Sequence, residues 1–176
     1  MTNSLLSSRT ISLRHPEPDD MLAMYALEND TSIWRQSDTI QPVSRRTVMS
    51  YVSSGEGDIY KNLQLRLAIV QTCGDTSAVG FVDLFNFSPR HLRAEVGIGM
   101  LKEYRGRGYA LEALRLLEEY SQQVLFLHQL CATISADNIL ALKLFEACCY
   151  AKAGVLTDWL KTKEGFADVC FFQKIL

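Results

Sequence analysis

The residues with the most chemical content lie between Ala94 and Leu111. Glu95, Val96, Gly97, Ile98, Gly99 and Met100 lead there into Arg105, Gly106, Arg107, Gly108, Tyr109 and Ala110. Strand periodicity puts Val96, Ile98 and Met100 on one face and Glu95, Gly97 and Gly99 on the other, so one face is apolar and the other nearly bare. Two glycines on one face weaken a strand. They are kept where a ligand or another backbone comes close, or where a bulge or a tight helix crossing needs the room. Gly106 and Gly108 stand just before a stretch with helical periodicity. Backbone N–H groups at such a bend can converge on one spot at the positive end of the helix dipole, and Arg105 and Arg107 add two fixed charges. A phosphate or pyrophosphate suits that nest; a strand-to-helix turn without a ligand is the alternative. The Lys-Ser or Lys-Thr of a P-loop is missing, and the glycines do not have the G-x-G-x-x-G dinucleotide spacing.

The elements that must hold this segment can be read on either side of it. Ile11 and Leu13 alternate with polar neighbours as a first strand over Thr10 to Arg14, and a first helix is predicted from about Pro18 to Glu28. Ser44 is a candidate N-cap for a second helix through Val48, Met49, Tyr51 and Val52, ending near Gly55 and Gly57. Leu63, Leu65, Leu67 and Ile69 alternate with polar or small residues. The turn residues Gly74 and Asp75 separate them from a second hairpin strand over Ala78 to Phe87. After the strand Arg93 to Met100, a helix from about Arg107 to Val124 places Ala110, Ala113, Leu114, Leu117, Ser121 and Val124 on one face. Its polar face carries Glu112, Arg115, Glu119 and Gln122. A short strand over Leu130 to Ser135, a helix capped by Asp137 or Asn138, and two closing strands, about Ala153 to Leu160 and Phe166 to Lys174, complete the chain. This order predicts a single α/β (α+β) domain over residues 1–176, with a mixed central sheet of about six to seven strands flanked by about four helices.

Composition narrows the partners. The chain has 176 residues, 48% hydrophobic and 22% charged, with mean hydropathy +0.01, which excludes intrinsic disorder. Eighteen Lys and Arg against twenty Asp and Glu leave a formal charge of −2, so no global positive field points to nucleic acid or an anionic membrane. Cys73, Cys131, Cys148, Cys149 and Cys170 form an odd set without C-x-x-C spacing, read as reduced thiols of a cytoplasmic protein, with no metal site. Met1 to Arg14 lacks the basic start and apolar run of a signal peptide, and no run of about 18 apolar residues predicts a membrane span.

Arg105-x-x-Gly108-x-Ala110, following a strand and opening a helix, resembles the acetyl-coenzyme A signature of the GNAT superfamily of N-acetyltransferases. Asp137-Asn138, with Ala141 three residues on and Leu144, Phe145 and Glu146 after it, resembles that family's later motif. The order of elements is similar from Ile11 to Phe172. The likeness is greatest to the bacterial branch holding ribosomal-protein N-terminal acetyltransferases and spermidine/spermine acetyltransferases. The resemblance implies a GNAT fold and acetyl-CoA as cosubstrate. It also implies a pantetheine arm laid along Ile98, Gly99 and Met100 like an added strand, and a pyrophosphate on the backbone of Arg105, Gly106, Arg107, Gly108, Tyr109 and Ala110. Asn138 and Ala141 would lie near the pantetheine. Lys143 would reach the cofactor phosphates or point to solvent.

The implied reaction is direct attack of a primary amine on the thioester. An alkyl ammonium with pKa near 10.4 is deprotonated in only about one molecule in 10³ at pH 7, a handicap of about 4 to 5 kcal/mol. Glu95 is the candidate base, directly or through a water; a structural carboxylate paired with Arg93 or another basic group is the other reading. The family's late-helix Tyr, which protonates the departing thiolate, is Phe145 here, with Tyr109 and Tyr150 the phenols that remain available. That substitution motivates an alternative, a CoA-binding sensor or scaffold without turnover. Glu17, Asp19, Asp20, Glu28 and Asp30 surround the first helix, where they could draw a polycation or serve the helix N-terminus; the loop Gln36 to Val43 carries only Asp38. Trp34 and Tyr60 could line an acceptor pocket or a homodimer contact. A small amine, a polyamine and a peptide N-terminus all stay open as acceptors.

Overall fold

The computed structural model describes residues 5–34, 41–54, 58–74 and 76–176. Seven strands form one sheet in the order β1-β2-β3-β4-β5-β7-β6. They are β1 (Ile11–Arg14), β2 (Leu65–Gln71), β3 (Ala78–Ser88), β4 (Arg93–Met100), β5 (Gln129–Ser135), β6 (Ala151–Lys161) and β7 (Phe166–Ile175). Every neighbouring pair is antiparallel except β4 and β5, joined in parallel through the helix between them.

Five α-helices cover the two faces: α1 (Met21–Glu28), α2 (Arg45–Ser54), α3 (Ile59–Asn62), α4 (Tyr109–Gln123) and α5 (Ile139–Ala147). Leu13, Ile69, Val82, Val96, Leu114, Leu117, Leu130 and Phe145 belong to the larger core, under α3, α4 and α5. Met24, Leu27, Val48, Val52, Ala68, Val70 and Phe81 form a second core under α1 and α2. β2 and β3 are thus buried on both faces, which is why their sequences read as near-continuous apolar runs.

Local chemistry explains most boundaries. Ser44 Oγ accepts from the Thr47 N–H at 3.1 Å, as an N-cap does, and Asp58 caps α3 through the Tyr60 N–H at 2.8 Å. The mixed sheet flanked by helices is the one expected; the single turn α3, one of five α-helices among the described residues, is too short to show a period. Three expectations need correction. Leu63 does not join the strand: it closes α3 in the left-handed region (φ 54°) and is exposed, so β2 begins at Leu65. Val124 lies past the end of α4 and is exposed, while Leu116 and Glu118 share the buried face instead. Pro18–Asp20 is a 3₁₀ turn leading into α1 rather than part of it. The expected helix stop at Gly55 and Gly57, the turn residue Asp75 and loop residues 36–40, with Asp38, lie outside the described residues. No helix among the described residues is long and apolar enough to cross a membrane.

Candidate active site

The site is made by a ladder that stops. β4 and β5 pair only at Arg93–Gln129, Ala94–Leu130 and Glu95–Cys131. Beyond Glu95, β4 keeps its partner β3 through Met100, while β5 keeps β7 through Ser135. From Val96 to Met100 the edge of β4 that faces β5 is therefore without a ladder among the described residues, although β4 is an interior strand. Such an edge offers a row of N–H and C=O groups to an extended ligand.

The turn after β4 supplies the second component. Gly106 and Gly108 adopt φ of 75° and 84°, which a β-carbon would strain. Gly108 is the N-cap of α4, with no side chain capping the helix, so the first N–H groups of a 15-residue helix are left for another acceptor. Arg107 lies over the Tyr104 ring, 5.2 Å from its centroid, at the same turn. Arg105 is engaged differently: its Nε donates to the Met100 carbonyl at 3.0 Å and its guanidinium pairs with Asp30 at 3.2 Å. Its side chain thus ties the end of β4 to α1 and is not a free charge for a phosphate. Hydrogen bonds from Ser32, then Arg105, hold the Asp30 carboxyl below its ordinary range.

The supposedly bare face of β4 is filled. A β-carbon on Gly99 would lie 2.9 Å from Leu27 of α1, and one on Gly97 would lie 3.3 Å from the Phe85 ring. For Gly99 the helix crossing is the reason for glycine, and the open feature is the strand edge rather than its face. Gly80 on β3 is tighter still: an added β-carbon would meet the Gly99 carbonyl at 2.5 Å. No local signal distinguished it from any other glycine in an apolar strand.

Glu95 stands where the two strands part. Asn86 Nδ2 donates to its Oε1 at 3.0 Å and Thr133 Oγ1 to its Oε2 at 3.4 Å. Arg93 is not its partner, so the reading of a carboxylate held by Arg93 is not what the structure has. A cavity of about 440 Å³, within the range of small-ligand sites, opens over this part of the sheet. Cys131 lines it, and burial followed by the nearby Glu95 charge pushes its thiol pKa up. Asn86 has φ 48°, at the bulge between β3 and β4, a backbone feature that the sequence did not announce.

The later motif caps and packs. Asn138 Oδ1 accepts from the Ala141 N–H at 3.1 Å, starting α5 directly after β5, and Ala141 packs on the core while Lys143 is exposed. Phe145 is buried, edge-on to Tyr150 at 5.0 Å. Tyr150 sits among Lys174, Glu118 and Cys148, and burial, then the charge of Glu118, raises its pKa. Tyr109 accepts a hydrogen bond from Gln71 Nε2 at 2.8 Å. Tyr109 is thus held by a local hydrogen bond, whereas Tyr150 is held by packing and its buried hydroxyl has no hydrogen-bond partner among the described residues. Trp34 Nε1 donates to the Glu28 carbonyl, and Tyr60 packs edge-on to Phe87 on the opposite side of the sheet from α1.

Known proteins share this fold. The family profile described as Acetyltransferase (GNAT) domain matches residues 10–149. The chain is 28% identical over 153 residues to a spermidine N(1)-acetyltransferase of Escherichia coli K12, covering 85% of this chain and 77% of that protein. It is 32% identical over 81 residues to an uncharacterized N-acetyltransferase p20 of Bacillus licheniformis, 46% of each chain, so the match spans about half of that relative. A spermidine N-acetyltransferase from Vibrio cholerae, solved in complex with CoA and spermine, superposes with a TM-score of 0.81 at 22% identity, covering 94% of this chain and 95% of that one.

Proposed function

Because the chain belongs to the acetyltransferase (GNAT) family, we propose that it transfers the acetyl group of acetyl-CoA to a primary amine by direct attack. The observation that carries this reading is the parting of β4 from β5 at Glu95. It leaves a strand edge beside a carboxylate, with an uncapped helix N-terminus at the other end of that edge. The backbone of Ile98, Gly99 and Met100 would pair with the amide-bearing pantetheine, with Arg105 Nε already occupying one side of the Met100 carbonyl. The N–H groups between Gly106 and Ala110, with Arg107, would take the pyrophosphate. Asn138 caps the helix that follows β5 and Ala141 and Lys143 lie in its first turns, from which Asn138 and Ala141 would meet the pantetheine and Lys143 the phosphates.

In the reaction the amine lone pair forms an N–C bond to the thioester carbonyl carbon as the C–S bond breaks. The proton on nitrogen passes to Glu95, directly or through a water, and the departing thiolate takes a proton from solvent. With Phe145 in place of a phenol, the thiolate leaves without a dedicated acid, which its unperturbed pKa near 8.5 allows. Phe145→Tyr is expected to raise kcat about tenfold by supplying that acid, with the KM for acetyl-CoA little changed. An unchanged kcat in stopped-flow thiol release would retire the missing-acid explanation.

The proposal as a whole is tested by thiol release from acetyl-CoA with polyamines, free amino acids and short peptides as acceptors. Amine-dependent release with at least one class is expected. Tight CoA binding without release on any amine would instead support the sensor reading.

A further inference from the structure

The choice of amine can be read from the charges around the opening, on the premise of the acetyl transfer proposed above. A polycation needs unneutralised acids, and the structure pairs three of the five that the sequence offers around α1, leaving Glu17 and Asp19 exposed at the turn before the helix. Asp20 is fully buried against Arg14, with N–O distances of 2.7 and 3.0 Å, and also accepts from the Glu17 and Ala78 N–H groups. Glu28 pairs with Arg66 at 2.6 Å, and the same guanidinium grips Asp83 at 2.6 and 3.3 Å. Asp30 pairs with Arg105. Three arginines therefore engage four carboxylates on the side of the sheet where Glu95 lies, which leaves one net negative charge, shared by Glu28 and Asp83 around Arg66.

The cavity beside Glu95 has a different character. Its wall presents Arg93 and Glu95, the amides of Asn86, Gln129 and Gln173, and the ring of Phe171. Arg93 is exposed and has no ion-pair partner among the described residues. It lies two residues before Glu95 on β4, so both side chains leave the same face with their Cα atoms about 6.8 Å apart. The order along the strand is Arg93, Glu95, then the unpaired edge from Val96. An ammonium held at Glu95 would face the thioester on one side and the Arg93 guanidinium on the other. A second ammonium reaching along this path would meet a like charge at Arg93. A carboxylate or peptide carbonyl would meet a partner, and a Gln173–Gln129 amide pair flanks it with further donors and acceptors.

We infer that the acceptor is an α-amine carrying a carbonyl or carboxylate on the same carbon, with Glu95 taking the amine and Arg93 the carbonyl oxygen. Free amino acids and peptide N-termini share this chemistry. Arg93 is the specificity-determining residue, and Phe171 offers an apolar platform for the side chain of the acceptor's first residue.

Initial rates are compared for alanine, alanine amide, an Ala-led pentapeptide, butylamine and spermidine, with wild type and Arg93→Gln. Wild type is expected to favour an α-amino carbonyl acceptor over butylamine and spermidine by at least tenfold in kcat/KM; the free acid against the pentapeptide tells the amino acid from the peptide source. Arg93→Gln is expected to lose about tenfold on the best of these acceptors, chiefly through KM, the size of one exposed charge-assisted contact. Arg93→Lys should restore part of it. Spermidine or butylamine as the preferred acceptor, or an Arg93→Gln enzyme with unaltered acceptor preference, overturns the inference while leaving acetyl transfer intact. Release with none of the five overturns acetyl transfer and the inference with it.

Discussion

Glu95→Gln is expected to lower kcat about a hundredfold at pH 7, with the deficit shrinking as pH rises. The size follows from what a positioned base contributes, typically 10²-fold or more. The pH dependence follows from the substrate. At pH 7 nearly all of an amine carries the proton that must leave before attack, and each unit of pH raises the free fraction tenfold until the amine pKa is reached. Glu95 therefore matters most on the acidic side and least where the amine arrives already neutral. Gln preserves the shape and can still accept from Asn86 Nδ2 and bond with Thr133, so the strand junction stays folded. The measurement is a pH–rate profile for both enzymes between pH 6 and 9.5. A loss equal at every pH would assign Glu95 to positioning rather than proton transfer, and no loss would remove it from the mechanism. The pH at which the two profiles meet also reads out the acceptor. A peptide α-amine, with a reference pKa near 7.7 to 8.0, closes the gap about two and a half units earlier than an alkyl amine.

The same junction separates what is legible in the chain from what only folding creates. Strand and helix periods place nearly every element, because β1, β4 and α4 each bury a face whose spacing is visible along the sequence. Their ends are set by single residues with recognisable chemistry: Ser44, Gly108 and Asn138 each stand at a helix start. The turn α3 is invisible to such reading because four residues cannot express a period, and its closing residue Leu63 imitates the next strand.

The site is legible as a set of residues but not as an arrangement. Glu95, Gly106 and Gly108 stand out by type and spacing, yet the feature that makes a site of them is the end of the β4–β5 ladder. Pairing between strands separated by a 15-residue helix leaves no local trace in the chain. The charges mislead for a related reason. Along the sequence, Glu28 and Asp30 look like acids awaiting a cation. In space, Arg66 and Arg105, 38 and 75 residues away, have already answered them. Burial works against the Arg66 charge, but Asp83 and Glu28 together hold it above its ordinary pKa. Asp83 itself is pushed up by burial despite Arg66. Arg66 is thereby engaged by Glu28 and Asp83, and Glu95 is the carboxylate that lines the cavity over β4 and β5.

The largest effect on stability is expected where no chemistry occurs, at Gly80. Gly80 pairs with Met100 across β3 and β4, and a β-carbon there would sit 2.5 Å from the Gly99 carbonyl and 2.7 Å from Met100 Sδ. The methionine sulfur can swing away. The carbonyl cannot, because it belongs to the backbone of β4, and moving it means shifting the strand whose other edge is the proposed pantetheine partner. Overpacking of this kind costs about 1 to 3 kcal/mol. In a domain of this size, at about 3 °C per kcal/mol, that lowers Tm by about 3 to 9 °C. Gly80→Ala should therefore melt well below wild type in a calorimetric or circular-dichroism scan, and its KM for acetyl-CoA should rise, since the displaced atoms lie at Gly99 and Met100. Gly154→Ala is the matched control: on the edge strand β6, its β-carbon meets nothing within 4 Å, so its Tm should stay within about 2 °C. If Gly80→Ala melts with the control and binds acetyl-CoA as wild type does, then β4 is free to shift by several tenths of an ångström. In that case the rigidity attributed to its open edge does not hold.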